Sequence, residues 1–258
     1  MTISAASPET IRVRRGAVRY IARHTQSESP TDITTSQLVA VCAARRWSND
    51  HRRNMRSHMV TFYDFCTQTG ICEANPARNL PVVPESKPRP RPATDQIWSD
   101  LLTAAPPREQ LMARLAGEAG LRRAEVAQVH RDDLIHDLGG WSLIVHGKGG
   151  KQRTVPITDG LAATLRTHRY GYSPRGYLFP GRTDGHVSPG HVGVLISHLM
   201  PDGWSMHRLR HRYASRGYAG TGNLRAVQEA LGHASVATTE RYTLVTSRDV
   251  RAVTEAAA

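Results

Sequence analysis

The sequence predicts a mainly helical chain with a small antiparallel β-sheet, an α+β fold built as two domains. Three observations carry this reading. Apolar residues recur at helical spacing on both sides of one proline-rich segment. That segment, Pro81 to Pro92, holds five prolines in twelve residues, which excludes helix and favours an extended linker. Only one stretch, residues 141–157, alternates like paired strands around a glycine turn. The expected organisation is a helical domain over 1–80, a linker over 81–92, and a mixed domain over 93–258.

The elements follow in order. Ser7 can cap a first helix with Pro8 in its first turn, and Ile11, Val18 and Ile21 mark its apolar stripe. Thr34 or Thr35 starts a second helix through Leu38, Val41 and Cys42. Ser48 opens a third, with Met55, Met59, Phe62 and Phe65 expected inward and Gly70 at its end. Asn75-Pro76-Ala77 is expected to start a short fourth. Past the linker, 95–105 and 110–120 read as helices. Trp141 to Val145 reads as a strand, Gly147 to Gly150 as a turn, and Arg153 to Ile157 as the returning strand. Helices are then expected near 159–168, 188–199, 207–217, 223–231, 235–243 and 247–256.

Composition narrows the function. Hydrophobic residues make up 39% of 258, enough for real cores and against wholesale disorder. No apolar run approaches the roughly 18 to 20 residues of a membrane span. The first residues have neither the basic start nor the apolar stretch of a signal peptide. Cys42, Cys66 and Cys72 lack zinc spacing and read as reduced structural thiols. These features predict a cytoplasmic protein. The net charge is +12, from 34 basic and 22 acidic residues, spread over both domains. Such an excess suits a polyanion, most simply nucleic acid, although a solvated arginine-rich surface gives the same sum. Arg52, Arg53 and Arg56 share a neighbourhood at helical spacing. Lys87, Arg89 and Arg91 give the linker the charge of a strap crossing a phosphate backbone.

Four islands of unusual residues lie in the second domain. Arg122 and Glu125 are three apart and share a helix face. Lys148 sits in the Gly147-Lys148-Gly149-Gly150-Lys151 turn. This is no phosphate-binding P-loop, because Gln152 stands where Ser or Thr is required and a strand follows. His207 and Arg210 would project together from the start of a helix, with His211 beside them. Leu231-Gly232-His233 is followed nine residues later by Tyr242. Singly, each has a plain alternative: a surface ion pair, a solvated hairpin tip, a core tyrosine. The histidines could ligate a metal, but no carboxylate or cysteine joins them at metal spacing.

In this order the islands resemble the tyrosine recombinases, the integrase family of site-specific DNA recombinases. The matching stretches are Ala119-Gly120-Leu121-Arg122-Arg123-Ala124-Glu125-Val126, Gly147 to Ile157, His207-Arg208-Leu209-Arg210-His211, and Leu231-Gly232-His233 through Arg241-Tyr242. The likeness spans about 93–250, and Asn75-Pro76-Ala77 resembles the end of the family's helical core-binding domain.

The resemblance implies a core-binding DNA-binding domain followed by a catalytic domain, closing together around duplex DNA. It implies Tyr242 as nucleophile, forming a 3′-phosphotyrosine link, and Arg122, Arg210, His207 and His233 as the groups around the phosphate. Lys148 would be the general acid and Glu125 a support for Arg122. No cofactor and no metal are expected. Arg52, Arg53, Arg56, Lys87, Arg89 and Arg91 are expected to grip DNA. The implied partners are duplex DNA with paired inverted core sites, a homotetramer in the synaptic complex, and a recombination directionality factor. With about 80 residues before the linker, no arm-binding domain is expected. A temperate-phage integrase is the leading expectation. A Xer-type dimer resolvase, or a transposon or cassette recombinase, shares the chemistry. A catalytically inactive DNA-binding protein and a metal-dependent nuclease are the readings of a different class.

Overall fold

The computed structural model describes residues 8–44, 46–85, 91–167 and 175–232. The chain divides into two compact units, Met1–Lys87 and Pro88–Ala258. The division falls inside the proline-rich segment.

The first unit holds α1 (Pro8–Thr25), α2 (Thr35–Ala43) and α3 (Asn49–Gln68). Thr34 and Gln37 form a reciprocal capping box that starts α2. Ser48 caps α3 by accepting the His51 N–H. The buried stripe of α3 is Met55, Met59, Tyr63 and Cys66, not the expected Met55, Met59, Phe62 and Phe65. Steps of four, four and three follow the helical period better. Tyr63 tolerates burial because its hydroxyl donates to the Pro30 carbonyl at 3.3 Å. Phe62 and Phe65 pack on the flank of the same core.

The helix expected at Asn75-Pro76-Ala77 is a turn. The Asn75 amide donates to Val60 O at 3.1 Å and to Asp64 at 2.9 Å, and its side-chain oxygen accepts the Ala77 N–H at 2.8 Å. Side-chain bonds of this kind compete with helical ones.

The second unit opens with α4 (Asp95–Ala104), α5 (Pro107–Glu118) and α6 (Arg123–Ala127). A three-stranded antiparallel sheet follows: β1 (Leu134–Asp137), β2 (Gly140–His146) and β3 (Gln152–Pro156), in that spatial order. Leu143 pairs with Leu134 on one side and Val155 on the other. The unit continues with α7 (Asp159–Arg166), α8 (Pro189–His198), α9 (His207–Thr221) and α10 (Leu224–Leu231). The sequence reading missed β1, whose His136 and Asp137 lack strand character. The helices expected at 235–243 and 247–256 lie outside the described residues.

Helix α5 is the centre of this unit. Six of its residues are buried, from Leu111 to Gly117, and it packs against α9. A helix apolar on most of its faces belongs inside. The far face of α9 is tied to α4: Arg212 donates to Asp95 at 2.7 Å and stacks over Trp98 at 4.8 Å. The start of this unit is anchored too, since Ala93 N donates to Arg208 O and Arg208 Nη1 donates to Arg91 O.

Gly120 links α5 to α6 with φ +67°, and a Cβ there would lie 2.6 Å from the Tyr213 ring and 3.1 Å from Leu231. Gly120→Ala should therefore cost on the order of 1–3 kcal/mol. At a few degrees per kcal/mol, thermal unfolding should show a clearly lower midpoint. An unchanged midpoint would contradict this packing.

Candidate active site

The site begins with one carboxylate. Arg122 is the N-cap of α6 and Glu125 its third residue, where a carboxylate faces the free N–H groups of the first turn. Glu125 Oε2 accepts the Arg122 backbone N–H at 2.8 Å, and Oε1 accepts Arg122 Nη1 at 2.7 Å. From β3, Arg153 adds a bidentate pair, Nη1 to Oε1 at 2.8 Å and Nη2 to Oε2 at 2.9 Å. Arg210 Nη1 stands 3.8 Å from Oε2. The Glu125 side chain is 4% exposed. Burial alone would raise its pKa. The hydrogen bonds from Arg153 and the Arg122 N–H, with both positive charges, outweigh burial and hold it at about 2.

The C-terminal end of α10 meets the same arginines. Ala230 O accepts Arg153 Nε at 3.0 Å. Leu231 O accepts Arg210 Nη2 at 2.7 Å and Arg122 Nη1 at 3.4 Å. Gly232 O accepts Arg122 Nη2 at 3.5 Å. Free carbonyls at a helix C-terminus favour cations. Gly232 ends the helix at φ +64°, and a Cβ on it would lie 2.8 Å from Arg153. The glycines of two sequence islands thus have structural causes. Gly120 also supplies its carbonyl to Arg210 Nη1. Arg210 is 1% exposed, and its two carbonyl partners fix the plane of its guanidinium.

A groove of about 570 Å³ opens beside this cluster, lined by Arg122, Arg123, Met206, His207 and the α8 glycines Gly190 and Gly193. Arg122, with 40% of its side chain exposed, joins the cluster to the groove. His207 opens α9 and borders the groove with solvent on one side. Burial of its other side lowers its pKa, and the charges of Arg210, Arg122 and Arg123 lower it further. His211 lies one turn on, its ring edge-on to His207 at 4.6 Å. Burial first, then His207, Arg208 and Arg210, push it down to about 3. The wall offers two guanidiniums, Arg122 and Arg123, and the His207 imidazole, with the Arg210 guanidinium behind. Such a set suits an anion with several oxygens.

The structure therefore brings Arg122, Glu125, His207 and Arg210 together. The backbone of Lys148 lies at the β2–β3 tip, where Gly149 and Gly150 take positive φ and Gly147 N bonds Lys151 O at 2.7 Å. His233, Tyr242, Lys87 and Arg89 lie outside the described residues. In the first unit, Arg56 Nε donates to Leu80 O at 3.1 Å, and Arg53 stands 3.7 Å from Glu85. Arg52 is half-buried beside them, and Arg91 is exposed. Among the described residues, no group of three or more His, Cys, Asp or Glu could hold a metal ion.

The sequence reading gave Arg153 no role. Its signal was present in the strand period: Arg153 and Val155 sit two apart, on the inward side of β3.

Comparison with known proteins agrees with this arrangement. The model of the phage integrase family matches residues 94–248. The chain is 34% identical to tyrosine recombinase XerC of Rhodospirillum centenum, over 98% of this chain and 82% of that protein. The chain belongs to the phage integrase family. Among solved structures of these recombinases, it is similar to the integrase from mycobacterium phage Brujita, with 27% identity, a TM-score of 0.51, and coverage of 96% of this chain and 92% of that one. It shares its fold with lambda integrase residues 75–356, solved as a dimer bound to a COC′ core site. There the TM-score is 0.74 at 18% identity, over 95% and 92% of the two chains. All the clustered residues of this recombinase fall inside the family match.

The pKa shifts set an acid limit on stability. His211 ionises near its ordinary 6.5 when unfolded but only at about 3 when folded. Protonation below pH 6.5 thus favours the unfolded chain. Glu125, ordinarily near 4.5 and held at about 2 when folded, adds a second loss below pH 4.5. Urea unfolding should show stability falling from about pH 6.5 and more steeply below 4.5. His211→Gln should flatten the upper part of that fall. Identical wild-type and variant slopes between pH 7 and 5 would contradict the burial of His211.

Proposed function

We propose that this tyrosine recombinase cleaves and rejoins DNA strands through a 3′-phosphotyrosine intermediate. The observation that carries the reading is the convergence of Arg122 and Arg210, 88 residues apart in the chain, on one buried carboxylate and one helix end beside His207. Attack on a phosphodiester places extra negative charge on the non-bridging oxygens. Two guanidiniums aimed at one phosphate can carry that charge by charge-assisted hydrogen bonds. His207 and His233 complete the donor set. Tyr242 Oη forms the new bond to phosphorus as the bond to the 5′ oxygen breaks, and the phenolic proton is released. Lys148, on a glycine-flanked tip, gives the leaving oxygen its proton. The phosphotyrosine keeps the bond energy, so a different 5′-hydroxyl can displace the tyrosine and rejoin the strand.

DNA is held by sequence-independent phosphate contacts, for which Arg52, Arg53, Arg56, Lys87, Arg89 and Arg91 are the candidates. Paired inverted core sites and a homotetramer complete four strand exchanges, in the cytoplasm of a bacterial host. For the biological setting, temperate-phage integration and excision, with a directionality factor, is the first reading. The phage Brujita integrase supports it, being similar over 92% of its own chain. The XerC relatives, at 31% and 34% identity, favour Xer-type dimer resolution as the second. Recombination between two unlike sites supports the first; recombination only between copies of one site supports the second.

The test of the reaction is a nicked suicide duplex containing the cognate core site. Wild type should leave a protein–DNA adduct that survives denaturant and forms in EDTA. Tyr242→Phe should bind the duplex and trap nothing. An adduct from Tyr242→Phe would refute the assignment of the nucleophile.

A further inference from the structure

An anion-binding pocket built on a buried carboxylate poses an electrostatic problem. Glu125 neutralises one of the positive charges meant for the phosphate, and a single anionic carboxylate 3.8 Å from Arg210 and 2.7 Å from Arg122 competes directly with DNA for both. Arg153 is the residue placed to solve it. Its side chain is 14% exposed and uses three donors inward: two on Glu125 and Nε on Ala230 O. Each Glu125 oxygen receives one N–H from Arg122 and one from Arg153. Arg153 thus supplies half of the direct hydrogen bonds on the carboxylate. It also spans from β3 to the end of α10, whose Leu231 carbonyl orients Arg210.

We infer that Arg153 is a positioning residue that cancels the Glu125 charge and clamps it to α10, leaving Arg122 and Arg210 to act on the scissile phosphate. The inference rests on the reaction proposed above. The charge sum shows the consequence. Arg122, Arg153 and Arg210 against Glu125 give +2, the charge of two arginines directed at a phosphate. Without Arg153 the sum is +1, and Glu125 draws on Arg122 and Arg210 for the bonds it has lost. A buried carboxylate missing half its donors is costly, and the nearest replacement donors are those two arginines. Lysine cannot substitute fully, since its ammonium lacks the planar fork that reaches both carboxylate oxygens.

The experiment measures single-turnover cleavage of the suicide duplex, together with DNA affinity and thermal unfolding of each variant. Arg153→Gln should slow cleavage by roughly one to two orders of magnitude, the range for lost partners that orient a reacting group, while DNA affinity stays within about threefold because other phosphate contacts dominate it. The charge-balanced double variant Glu125→Gln/Arg153→Gln restores the sum to +2 and should recover most of the lost rate. A purely structural role would make the double variant as slow as the single one or slower, and that result overturns the inference. So does wild-type cleavage by Arg153→Gln.

Should Arg153→Gln not fold, Arg153→Lys keeps the countercharge and should cleave within about tenfold of wild type; a rate more than a hundredfold below wild type in a folded Arg153→Lys overturns the inference. A 5′-bridging sulfur, whose leaving thiolate needs no proton, should not rescue Arg153→Gln, because its defect lies at the phosphate. Full rescue would mean that Arg153 acts through the general acid instead. If wild type itself gives no adduct, the proposed reaction fails, and that outcome is distinct from a wild type that cleaves beside an equally fast Arg153→Gln.

Discussion

The second unit is organised around one ionised carboxylate that water scarcely reaches. Isolated, such a charge would be neutralised by taking up a proton. Glu125 instead stays ionised because two arginines satisfy both of its oxygens while a third stands close by. That requirement fixes the positions of distant parts of the chain. The first turn of α6 brings Arg122, β3 brings Arg153, and the start of α9 brings Arg210. The carbonyls that end α10 accept further N–H groups from the same arginines. Each element is placed by its own hydrophobic packing, and the polar centre sets their mutual register.

In the proposed reaction, this arrangement keeps the pocket in order before DNA binds. Arginines crowded together repel one another and lose hydration when buried. Glu125 and the α10 carbonyls offset both costs, so the guanidiniums can be oriented before a phosphate arrives. Oriented donors need little rearrangement at the moment of reaction, which is where electrostatic catalysis gains its strength. Burial and the same positive charge disfavour protonation of the two histidines beside them, most strongly at His211, pushed down to about 3.

Much of this was legible in the residues. A spacing of three put Arg122 and Glu125 on one helix face, and put His207 and Arg210 together at the start of a helix. Capping residues Thr34 and Ser48 located α2 and α3. The proline segment marked the division between units. What escaped the reading depended on contacts between residues far apart in sequence. Arg153 meets Glu125 across 28 residues and Ala230 across 77; the strand period turns it inward but does not name those partners. Tyr63 takes the core position expected for Phe62 because the Pro30 carbonyl, far away in sequence, accepts its hydroxyl. Asn75 has the composition of a helix start, yet its side chain is taken by Val60 and Asp64. The strand β1 pairs through its backbone while His136 and Asp137 stay polar.

The most direct test of the central claim is a structure of Tyr242→Phe bound to an intact core-site duplex. In that complex Arg122 and Arg210 should both contact the non-bridging oxygens of one phosphate, Glu125 should keep its bonds to Arg122 and Arg153, and the ring at position 242 should stand in line with the 5′ oxygen. A scissile phosphate held by other side chains, or a ring at position 242 with no path to it from the same or a neighbouring protomer, would contradict the account.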